Sequence, residues 1–572
     1  MKRFLCFLAV LLLCLGTVAC GGSTGNKASK DTYYVILFNS HHLTEEDAKA
    51  LAQLSSLYPS RDVLPIDVKA CEDATEVYTL LQRETAKQSG TLDGIQIIGT
   101  ADAVPSFLAD YKLALPTGTT KGTTYFTDYF YQNLTNDPDA FVDFSVAAQF
   151  ERGDALSFTP HHRVIRLPLG AGELSDYVAC YRKYAEEMNA VTPSLVSFSS
   201  SIFRYNDVTS ADDLAYFLDR AEREWGIIEG VHVYTNQVGE YLSPITSLGD
   251  ITAENMQKEN REGVKEFFLL GHGSSLAVVR TVFKEDGTQQ QSPFLSYEDI
   301  PAVFNTNPYF LNIHACLSAE GMGDNLIRRA MQNGCLGAFA TTSLIANNGI
   351  DAKAPLEDMT ASVNFFGFHY AYLAARHEGE SRTAAFLTAQ KAYAKALGAA
   401  AKEPIDYTAN YQMGYHNLLT YTSFGIFEPE VSVFPSASDS AFPFIEAAPT
   451  ERAFVYLTSG VSADDEIPLS ASETMNRGVA VTVSELTATP LDNGCIRFSV
   501  TVETSAQPVV RFIGNTGPYL ADRLTSYPVL REESVLVIDL EKDAIRKDGT
   551  LALLFEKDGK SALWLVDTSP LF

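Results

Sequence analysis

A histidine and a cysteine each follow an apolar run in this sequence, and these two residue types together can perform nucleophilic catalysis. Residues 267–274 read Phe-Phe-Leu-Leu-Gly-His-Gly-Ser, which places His272 between two glycines. Residues 309–318 read Tyr-Phe-Leu-Asn-Ile-His-Ala-Cys-Leu-Ser, which places Cys316 near the end of the run. A thiolate is a strong nucleophile, and a nearby imidazole can activate it and exchange protons with the reacting groups. The pair therefore predicts a cysteine nucleophile with its acid–base partner.

Both residues stand where a parallel sheet would place a site. A short apolar run bounded by turn residues is typical of a strand that is buried on both faces. In an open parallel sheet, ligands bind just beyond the carboxyl ends of the strands. The chain between His272 and Cys316 is long enough for one crossover connection. If the two strands are neighbours, we expect the imidazole and the thiol to converge at one rim of the sheet.

Other residues in the same stretch offer alternatives. Gly271 and Gly273 permit a tight turn that exposes the imidazole, although a structural role for the histidine is the alternative. His314 lies two residues before the cysteine and so faces the same side of the strand, where it could compete as base or be a buried, hydrogen-bonded histidine. Ser274 is disfavoured as a nucleophile because the Gly-x-Ser-x-Gly elbow is absent. Cys316 taken alone could be an inert buried thiol.

The elements that must position the pair follow an α/β pattern. Strand-like runs alternate with helical segments over residues 31–190 and again over residues 191–434, which predicts two tandem α/β subdomains with a parallel sheet flanked by helices. Thr44 is predicted as the N-cap of the first helix. Residues 435–449 have the composition of a linker. Residues 450–572 alternate apolar and polar residues without intervening helices, which predicts a β-sandwich.

The first thirty residues predict export. Residues 1–20 have a basic start, an apolar stretch that is shorter than a typical transmembrane helix, and small residues before Cys20. This ending resembles a bacterial lipobox, so we expect Cys20 to be lipidated and residues 21–30 to form a flexible tether. The expected location is the bacterial cell envelope, anchored by lipid and facing outside the cytoplasm. A plain secretory signal is the alternative.

Composition excludes several function classes. The formal net charge of −28 disfavours nucleic acid and anionic membrane surfaces as partners. Five cysteines remain beyond residue 20, and they are sparse and odd in number, so they do not form a disulfide framework. Paired cysteines with the spacing of a zinc site are absent, and no metal or other cofactor is expected.

The motifs resemble those of the gingipain family of cysteine peptidases, in the clan that also contains clostripain, legumain and the caspases. Gly-His-Gly-Ser after one apolar strand and Ala-Cys-x-Ser after another carry the resemblance. Residues 126–134 resemble the family's tyrosine-rich loop, residues 163–169 its Arg-containing strand, and residues 419–433 the strand that closes the domain, where Phe427 and Glu428 replace Gly and Asp. The resemblance covers residues 31–434.

This resemblance implies a caspase-like fold with an immunoglobulin-like C-terminal domain, and peptide hydrolysis through an acyl-enzyme. Cys316 would be the nucleophile, and His272 would protonate the leaving amine. The amides of Gly273 and Cys316 would bind the oxyanion. The family also places an acidic side chain behind the histidine, and Asp207 is the nearest candidate. A solvent-exposed loop aspartate is the alternative for Asp207.

The resemblance further implies protein or peptide substrates. Ser318, Glu320 and Thr342 are predicted to bind substrate. Glu320 and Asp324 could select Arg or Lys before the scissile bond, with ordinary surface carboxylates as the alternative. The rival hypothesis is a catalytically inactive, gingipain-like protein that serves in surface binding or adhesion.

Overall fold

The structure is a computed structural model, and the chain divides into two compact units, Met1–Thr450 and Glu451–Phe572. It describes residues 31–71, 73–114, 120–141, 157–188, 195–200, 204–205, 208–235, 248–283, 289–323, 325–345, 352–400, 408–430, 445–446, 467–476, 481–490, 495–504, 509–515, 524–527, 530–532, 535–541, 551–557, 560–567 and 569–571.

The described strands of the first unit are, in chain order, β1 Thr32–Phe38, β2 Asp62–Asp67, β3 Thr91–Ile98, β4 Phe107–Ala114, β5 Thr120–Thr127, β6 Arg163–Leu167, β7 Leu195–Ser199, β8 Arg204–Tyr205, β9 Val208–Thr209, β10 His232–Thr235, β11 Glu266–Leu270, β12 His272–Ser274, β13 Ala277–Phe283, β14 Gln289–Ser296, β15 Tyr309–His314, β16 Cys335–Thr341, β17 Tyr421–Gly425 and β18 Ile445–Glu446. The described helices are α1 Glu45–Ser55, α2 Ala74–Thr85, α3 Glu173–Met188, α4 Ser210–Asp219, α5 Ala253–Arg261, α6 Ile300–Val303, α7 Leu326–Met331, α8 Leu356–Ala361, α9 Phe365–His377, α10 Arg382–Ala400 and α11 Thr408–Thr420.

One large sheet organises these elements. Among the described residues, eleven strands join in the order β10-β7-β11-β15-β16-β17-β6-β3-β1-β2-β18. The pairings within β10-β7-β11-β15-β16 and within β6-β3-β1-β2-β18 are parallel, whereas β17 runs antiparallel to β16. The two α/β runs of the sequence therefore supply the two sides of one continuous sheet. The predicted parallel sheet flanked by helices is confirmed.

The strands are buried on both faces because apolar side chains alternate between two cores. Val35 and Leu37 of β1 belong to one core, whereas Tyr34 and Ile36 belong to the other. The same division holds in β11, where Phe268 faces the first core and its neighbours face the second. Near-continuous apolar runs are typical of parallel strands covered by helices on both sides.

Local polar contacts begin the helices where the sequence indicates. Thr44 accepts a hydrogen bond from the Asp47 amide at 3.1 Å, and Asp47 accepts one from the Thr44 amide at 3.0 Å, which forms a capping box. The buried Asp47 carboxylate also accepts from the amides of Gly172 at 2.6 Å and Ser175 at 3.2 Å. One carboxylate thus fixes the starts of α1 and α3.

The second unit is a β-sandwich, as predicted. Its described strands are β19 Ile467–Pro468, β20 Ser470–Asn476, β21 Val481–Pro490, β22 Cys495–Thr504, β23 Val509–Asn515, β24 Leu524–Tyr527, β25 Leu530–Glu532, β26 Val535–Glu541, β27 Leu551–Lys557 and β28 Lys560–Asp567. They form two antiparallel sheets, β19-β21-β22-β26-β25 and β20-β28-β27-β23-β24. Phe498 and Val500 of one sheet share a core with Leu553 and Phe555 of the other.

None of the helices that the structure describes has the length and apolar character needed to cross a bilayer.

Candidate functional site

The pairing of β11 with β15 brings His272 and Cys316 to the same level. The two strands are parallel neighbours, and Leu270 lies opposite His314 in their register. His272 follows Leu270 by two positions, and Cys316 follows His314 by two positions. The Gly271 amide continues the pairing by donating to the His314 carbonyl at 3.4 Å. The requirement that the two strands be neighbours is therefore met, and equal offsets place both residues beyond the same ends of the sheet.

Gly273 lies in direct contact with the backbone of Cys316. A Cβ atom added at Gly273 would overlap the Cys316 carbonyl oxygen and lie 2.8 Å from the Ala315 Cβ. Only glycine allows the two chain segments to approach this closely. Glycine at position 273 is thus required by packing, and it allows this segment to contact the backbone of the residue that carries the thiol.

His272 opens a small antiparallel sheet. It begins β12, where it lies opposite Val279 of β13, and β13 pairs in turn with β14. The histidine is half-buried. The Ser275 carbonyl, just after β12, accepts a hydrogen bond from the Leu326 amide at 2.7 Å. This bond ties the segment that carries His272 to the start of α7, which follows the Cys316 loop.

Cys316 is half-buried, is not in a disulfide, and lies near the segment that follows β16. Its Sγ accepts a hydrogen bond from the Ile345 amide at 3.3 Å and lies 3.6 Å from the Ile345 carbonyl oxygen. The next residue, Leu317, has a φ of 61°, a left-handed conformation that is unfavourable for a leucine. Such strain costs about 1–3 kcal/mol and persists only where the surroundings hold it in place.

Hydrogen bonds from the end of β16 hold the loop after Cys316. The Leu317 amide donates to the Ser343 carbonyl at 2.9 Å, and the Ala319 amide donates to the Thr341 carbonyl at 2.8 Å. The Thr341 hydroxyl donates to the Ala315 carbonyl at 2.6 Å. The backbone on both sides of the nucleophile is therefore fixed before a ligand arrives.

The three predicted substrate-binding residues have different environments. Ser318 is fully buried, and its hydroxyl donates to the Ala315 carbonyl at 3.2 Å. Thr342 is buried, and its hydroxyl lies 3.4 Å from the Thr420 carbonyl oxygen. Glu320 is half-buried in the short turn Glu320–Met322. The two hydroxyls are thus engaged by the protein's own backbone.

Two predicted acids and the predicted lipidation site cannot be placed. Asp207, Asp324 and Cys20 lie outside the described residues. The acidic partner of His272 is consequently still a sequence-based prediction.

His314 is a buried histidine with a hydrogen bond, which was the structural alternative for it. Its side chain is 2% exposed, and Nδ1 contacts the Tyr421 hydroxyl at the start of β17. Its ring centroid lies 3.9 Å from that of Phe365 on α9. The imidazole is thus enclosed by β17 and α9.

A pocket opens beside the thiol, and we call it the thiol-side pocket. Its enclosed volume is about 20 Å³, and the figure rises to about 380 Å³ only when the empty space open to solvent is counted. Its apolar lining residues are Ile345, Val363, Phe365, Phe368 and Leu418, and its polar lining residues are His314, Asn364, Tyr393, Asn417 and Tyr421. The backbone amide of Ile345 also donates to the Cys316 Sγ, so the pocket is lined by a residue that contacts the thiol.

The other thiols and the metal-binding side chains of the described residues lie in different surroundings. Burial raises the pKa of the Cys71 thiol to about 12, and burial likewise raises the pKa of the Cys335 thiol to about 12. A thiol with such a pKa is almost entirely protonated at neutral pH and is a poor nucleophile. Within the described residues, no group of three or more His, Cys, Asp or Glu side chains is arranged to hold a metal ion.

Sequence reasoning missed two residues beside the nucleophile. Ile345 and Tyr421 come from segments about 30 and 100 residues further along the chain, and neither is part of a motif. Only the antiparallel pairing of β17 with β16 brings Tyr421 opposite Thr341 at this rim. Nothing in the local sequence could have identified them.

The architecture is that of an α/β protein with a mostly parallel sheet, and a cysteine and a histidine lie beyond neighbouring parallel strands of that sheet. No protein-family model matches the chain, and no curated protein sequence matches it. Among solved structures, the Arg-specific cysteine proteinase gingipain R is similar with a TM-score of 0.45 and 10% identity, over 94% of this chain and 98% of that chain. A complex of the pro- and mature domains of RgpB from Porphyromonas gingivalis is similar with a TM-score of 0.45 and 10% identity, over 93% and 98% of the respective chains.

Proposed function

We propose that the protein is a cysteine endopeptidase that uses Cys316 as nucleophile and His272 as proton donor and acceptor. The observation that carries this proposal is the register of β11 and β15, which sets the thiol and the imidazole at equal offsets beyond two paired strands. Both side chains are half-buried, so they are shielded from bulk water and still reachable. A nucleophile next to its base on rigid strands is the arrangement that covalent catalysis requires.

The reaction has two stages. The Cys316 thiolate attacks the scissile carbonyl carbon, a C–S bond forms, and negative charge develops on the oxygen. As the C–N bond breaks, protonated His272 gives its proton to the leaving amine. Water then attacks the thioester while His272 takes one of its protons. The C–S bond breaks, which releases the carboxylic acid and restores the thiolate and the protonated imidazole.

The backbone amides of Gly273 and Cys316 would bind the developing oxyanion. Gly273 packs directly on the Cys316 backbone, and this close approach supports the role proposed for its amide. Donors that are fixed in advance stabilise the charged intermediate without reorganising during the reaction. Asp207 is the candidate acid that would orient His272, as proposed from the resemblance.

A preference for Arg or Lys before the scissile bond would require a carboxylate close to the thiol. Glu320 is the candidate among the described residues, and it is not one of the side chains that line the thiol-side pocket. Asp324 is the second candidate.

Covalent labelling tests the nucleophile. A thiol-directed peptidyl chloromethyl ketone at pH 7 should add to Cys316 in the wild type and leave Cys316→Ala unmodified. Cys71→Ala is the matched control, because Cys71 is also a half-buried free thiol but has a pKa of about 12. This control should be labelled like the wild type. If the wild type is not modified, or if Cys316→Ala is modified equally, the protein is not a cysteine peptidase, and the surface binding role becomes the better hypothesis.

The proposal also includes export and a lipid anchor at Cys20, which would place the enzyme in the bacterial cell envelope, outside the cytoplasm. The support is the basic, apolar and small-residue pattern of residues 1–20. The full-length protein expressed in a bacterial host should partition into a detergent phase, whereas Cys20→Ser should stay in the aqueous phase. Equal partitioning of the two proteins would contradict the anchor.

A further inference from the structure

We infer that the thiol-side pocket receives the side chain of the residue before the scissile bond, and that this side chain is uncharged and largely apolar, either aromatic or aliphatic, with methionine included. This inference rests on the proposed peptidase function and adds the class of substrate.

The order of strands gives the direction in which the substrate lies. β15, which leads to Cys316, has β11 on one side and β16 on the other. His272 follows β11, and it must be near the leaving amine in order to protonate it. The acyl part of the substrate therefore extends to the opposite side, toward the segment after β16. Ile345 belongs to that segment, contacts the Cys316 Sγ and lines the pocket.

The covalent geometry of the peptide determines which substrate residue can enter the pocket. The carbon that sulfur attacks is bonded directly to the Cα of the residue before the scissile bond. The side chain of that residue is therefore the one that a pocket bordering the thiol can receive. The pocket is small and open at its mouth, so it can take at most one side chain.

The polar groups in the pocket wall already bond to one another or to the backbone. The His314 Nδ1 contacts the Tyr421 hydroxyl. Tyr393 forms a side-chain hydrogen bond with Asn417. Asn364 accepts from the Gly367 amide at 2.7 Å and donates to the Met359 carbonyl at 2.8 Å, which caps α9. Few polar groups are thus left to bind a polar substrate side chain.

The remaining wall is apolar and aromatic, and it carries no carboxylate among the described residues. Val363, Phe365 and Leu418 supply much of it. An arginine or lysine side chain entering this wall would lose its hydration without gaining an opposite charge, which is strongly unfavourable. An apolar side chain gains free energy from the same transfer. The wall therefore favours residues such as Phe, Tyr, Leu and Met over Arg and Lys.

Profiling of the wild-type protein with two matched sets of substrates tests the inference. Fluorogenic peptides that differ only in the residue before the scissile bond should show kcat/KM at least about tenfold higher for Phe, Tyr, Leu or Met than for Arg or Lys. Peptidyl chloromethyl ketones with the same residues should modify Cys316 in the same order. Preferential cleavage after Arg or Lys would overturn the inference.

A carboxylate introduced into the pocket wall tests whether the substrate side chain lies in this pocket. Val363 is half-buried and lines the pocket, so Val363→Asp should shift the ratio of kcat/KM for Lys over Leu upward by at least about tenfold. Leu248→Asp is the control, because Leu248 is 55% exposed and does not line the pocket. This control should leave the ratio unchanged. An unchanged ratio in correctly folded Val363→Asp would show that the pocket does not contact this side chain, and the wild-type profile remains decisive if that variant does not fold.

The outcomes separate the two proposals. If the probes label Cys316 but label it faster with Arg or Lys before the reactive group, the proposed peptidase activity stands and the proposed apolar specificity is wrong. Absence of labelling by every peptidyl probe would remove the peptidase, and the inference with it.

Discussion

Two regions of the large sheet carry conspicuous polar side chains at or near the carboxyl ends of parallel strands, and they differ in construction. Near the ends of β3 and β6, Arg166 is fully buried and donates through Nε to Asp128 at 2.6 Å. Its other donors reach the Gly99 carbonyl at 2.8 Å, the Val104 carbonyl at 3.1 Å and the Ser106 hydroxyl at 2.8 Å. This group is closed on itself and excludes solvent.

The region beyond β11 and β15 is built in the opposite way. His272 and Cys316 are half-buried, Gly273 brings the two segments into contact, and Leu317 holds a left-handed backbone. Removing one partner from a buried ion pair leaves an uncompensated charge, so the fold of the first region depends on keeping both partners. A half-exposed thiol and imidazole contribute little to stability and can meet a substrate. In this sheet, the polar groups that are fully paired and buried are therefore structural, whereas the half-exposed thiol and imidazole are the candidates for reaction.

The variant His272→Ala should show the largest difference between an effect on activity and an effect on stability. Loss of the general acid should lower kcat/KM for peptide cleavage by about a thousandfold or more. The free energy of unfolding should change by less than about 1 kcal/mol, because the side chain is half-buried. Steady-state kinetics and urea denaturation measure the two effects. His41→Ala, at an exposed histidine, should change neither. Retained activity in His272→Ala would point to His314 as the base instead.

Asp128→Asn should give the reverse pattern. Removing one charge of the buried pair with Arg166 should destabilise the fold by about 3–5 kcal/mol, as measured by urea denaturation. The activity of the folded fraction should fall by less than about tenfold, with some effect transmitted by the Ser106 hydroxyl, which lies 3.3 Å from the Met322 sulfur. Asp73→Asn, at an exposed N-cap, should change stability by less than about 0.5 kcal/mol, because asparagine caps equally well. A large loss of activity without loss of stability would place Asp128 in the site.

The variant Gly273→Ala tests whether activity requires the close approach of the Gly273 segment to the Cys316 backbone. The added methyl group would overlap the Cys316 carbonyl oxygen, and the resulting displacement of the nucleophile should lower kcat by about a hundredfold. Gly398→Ala is the control, since nothing lies within 4 Å of the added atom on α10. That variant should keep full activity and gain up to about 1 kcal/mol of stability. Full activity in Gly273→Ala would show that the close approach is not required.

The smallest effect is expected at Asp93, which belongs to the ion-pair network of the β1 side of the sheet. Burial alone would raise the pKa of the Asp93 carboxyl, but Arg163 and Arg61 outweigh it, so the pKa lies below its ordinary value. A carboxyl with a lowered pKa in the folded state stabilises the fold above its unfolded pKa and loses that contribution as the pH falls through the folded value.

Asp93→Asn should therefore destabilise the protein by about 1 kcal/mol at neutral pH, and this difference should shrink as the pH falls below about 4. Denaturation at several pH values measures it, and 1 M salt should reduce the difference at neutral pH because the carboxylate is 27% exposed. A difference that grows toward acid would have the wrong sign for this ion pair.

Much of the fold was predictable because its signals are local. Thr44 and the acidic residues after it indicate a helix start, and the structure contains the full capping box there. The apolar runs before His272 and Cys316 predict buried strands, and β11 and β15 occupy them. The β12-β13-β14 sheet that begins at His272 was not predicted, because β12 is short, β14 is polar, and both pair only with β13.

The candidate site was predictable in part for the same reason. The Gly-His-Gly and Ala-Cys-x-Ser motifs are contiguous in the chain, so the residue types that can do the chemistry are visible without a structure. The union of the two α/β runs into one sheet was not visible, because it depends on β17 inserting between β16 and β6. The pairing of Asp128 with Arg166 is likewise a long-range contact.

The sequence by itself determined the two apolar strands, the glycines that let them approach, and the presence of a thiol and an imidazole at their ends. The tertiary structure alone decided that these strands are neighbours in matching register, and that Ile345, Phe365 and Tyr421 line one pocket next to the thiol. The physical reason is that helix caps and strand periodicity act over a few residues. Strand order and pocket lining depend on packing between segments that are far apart in the chain.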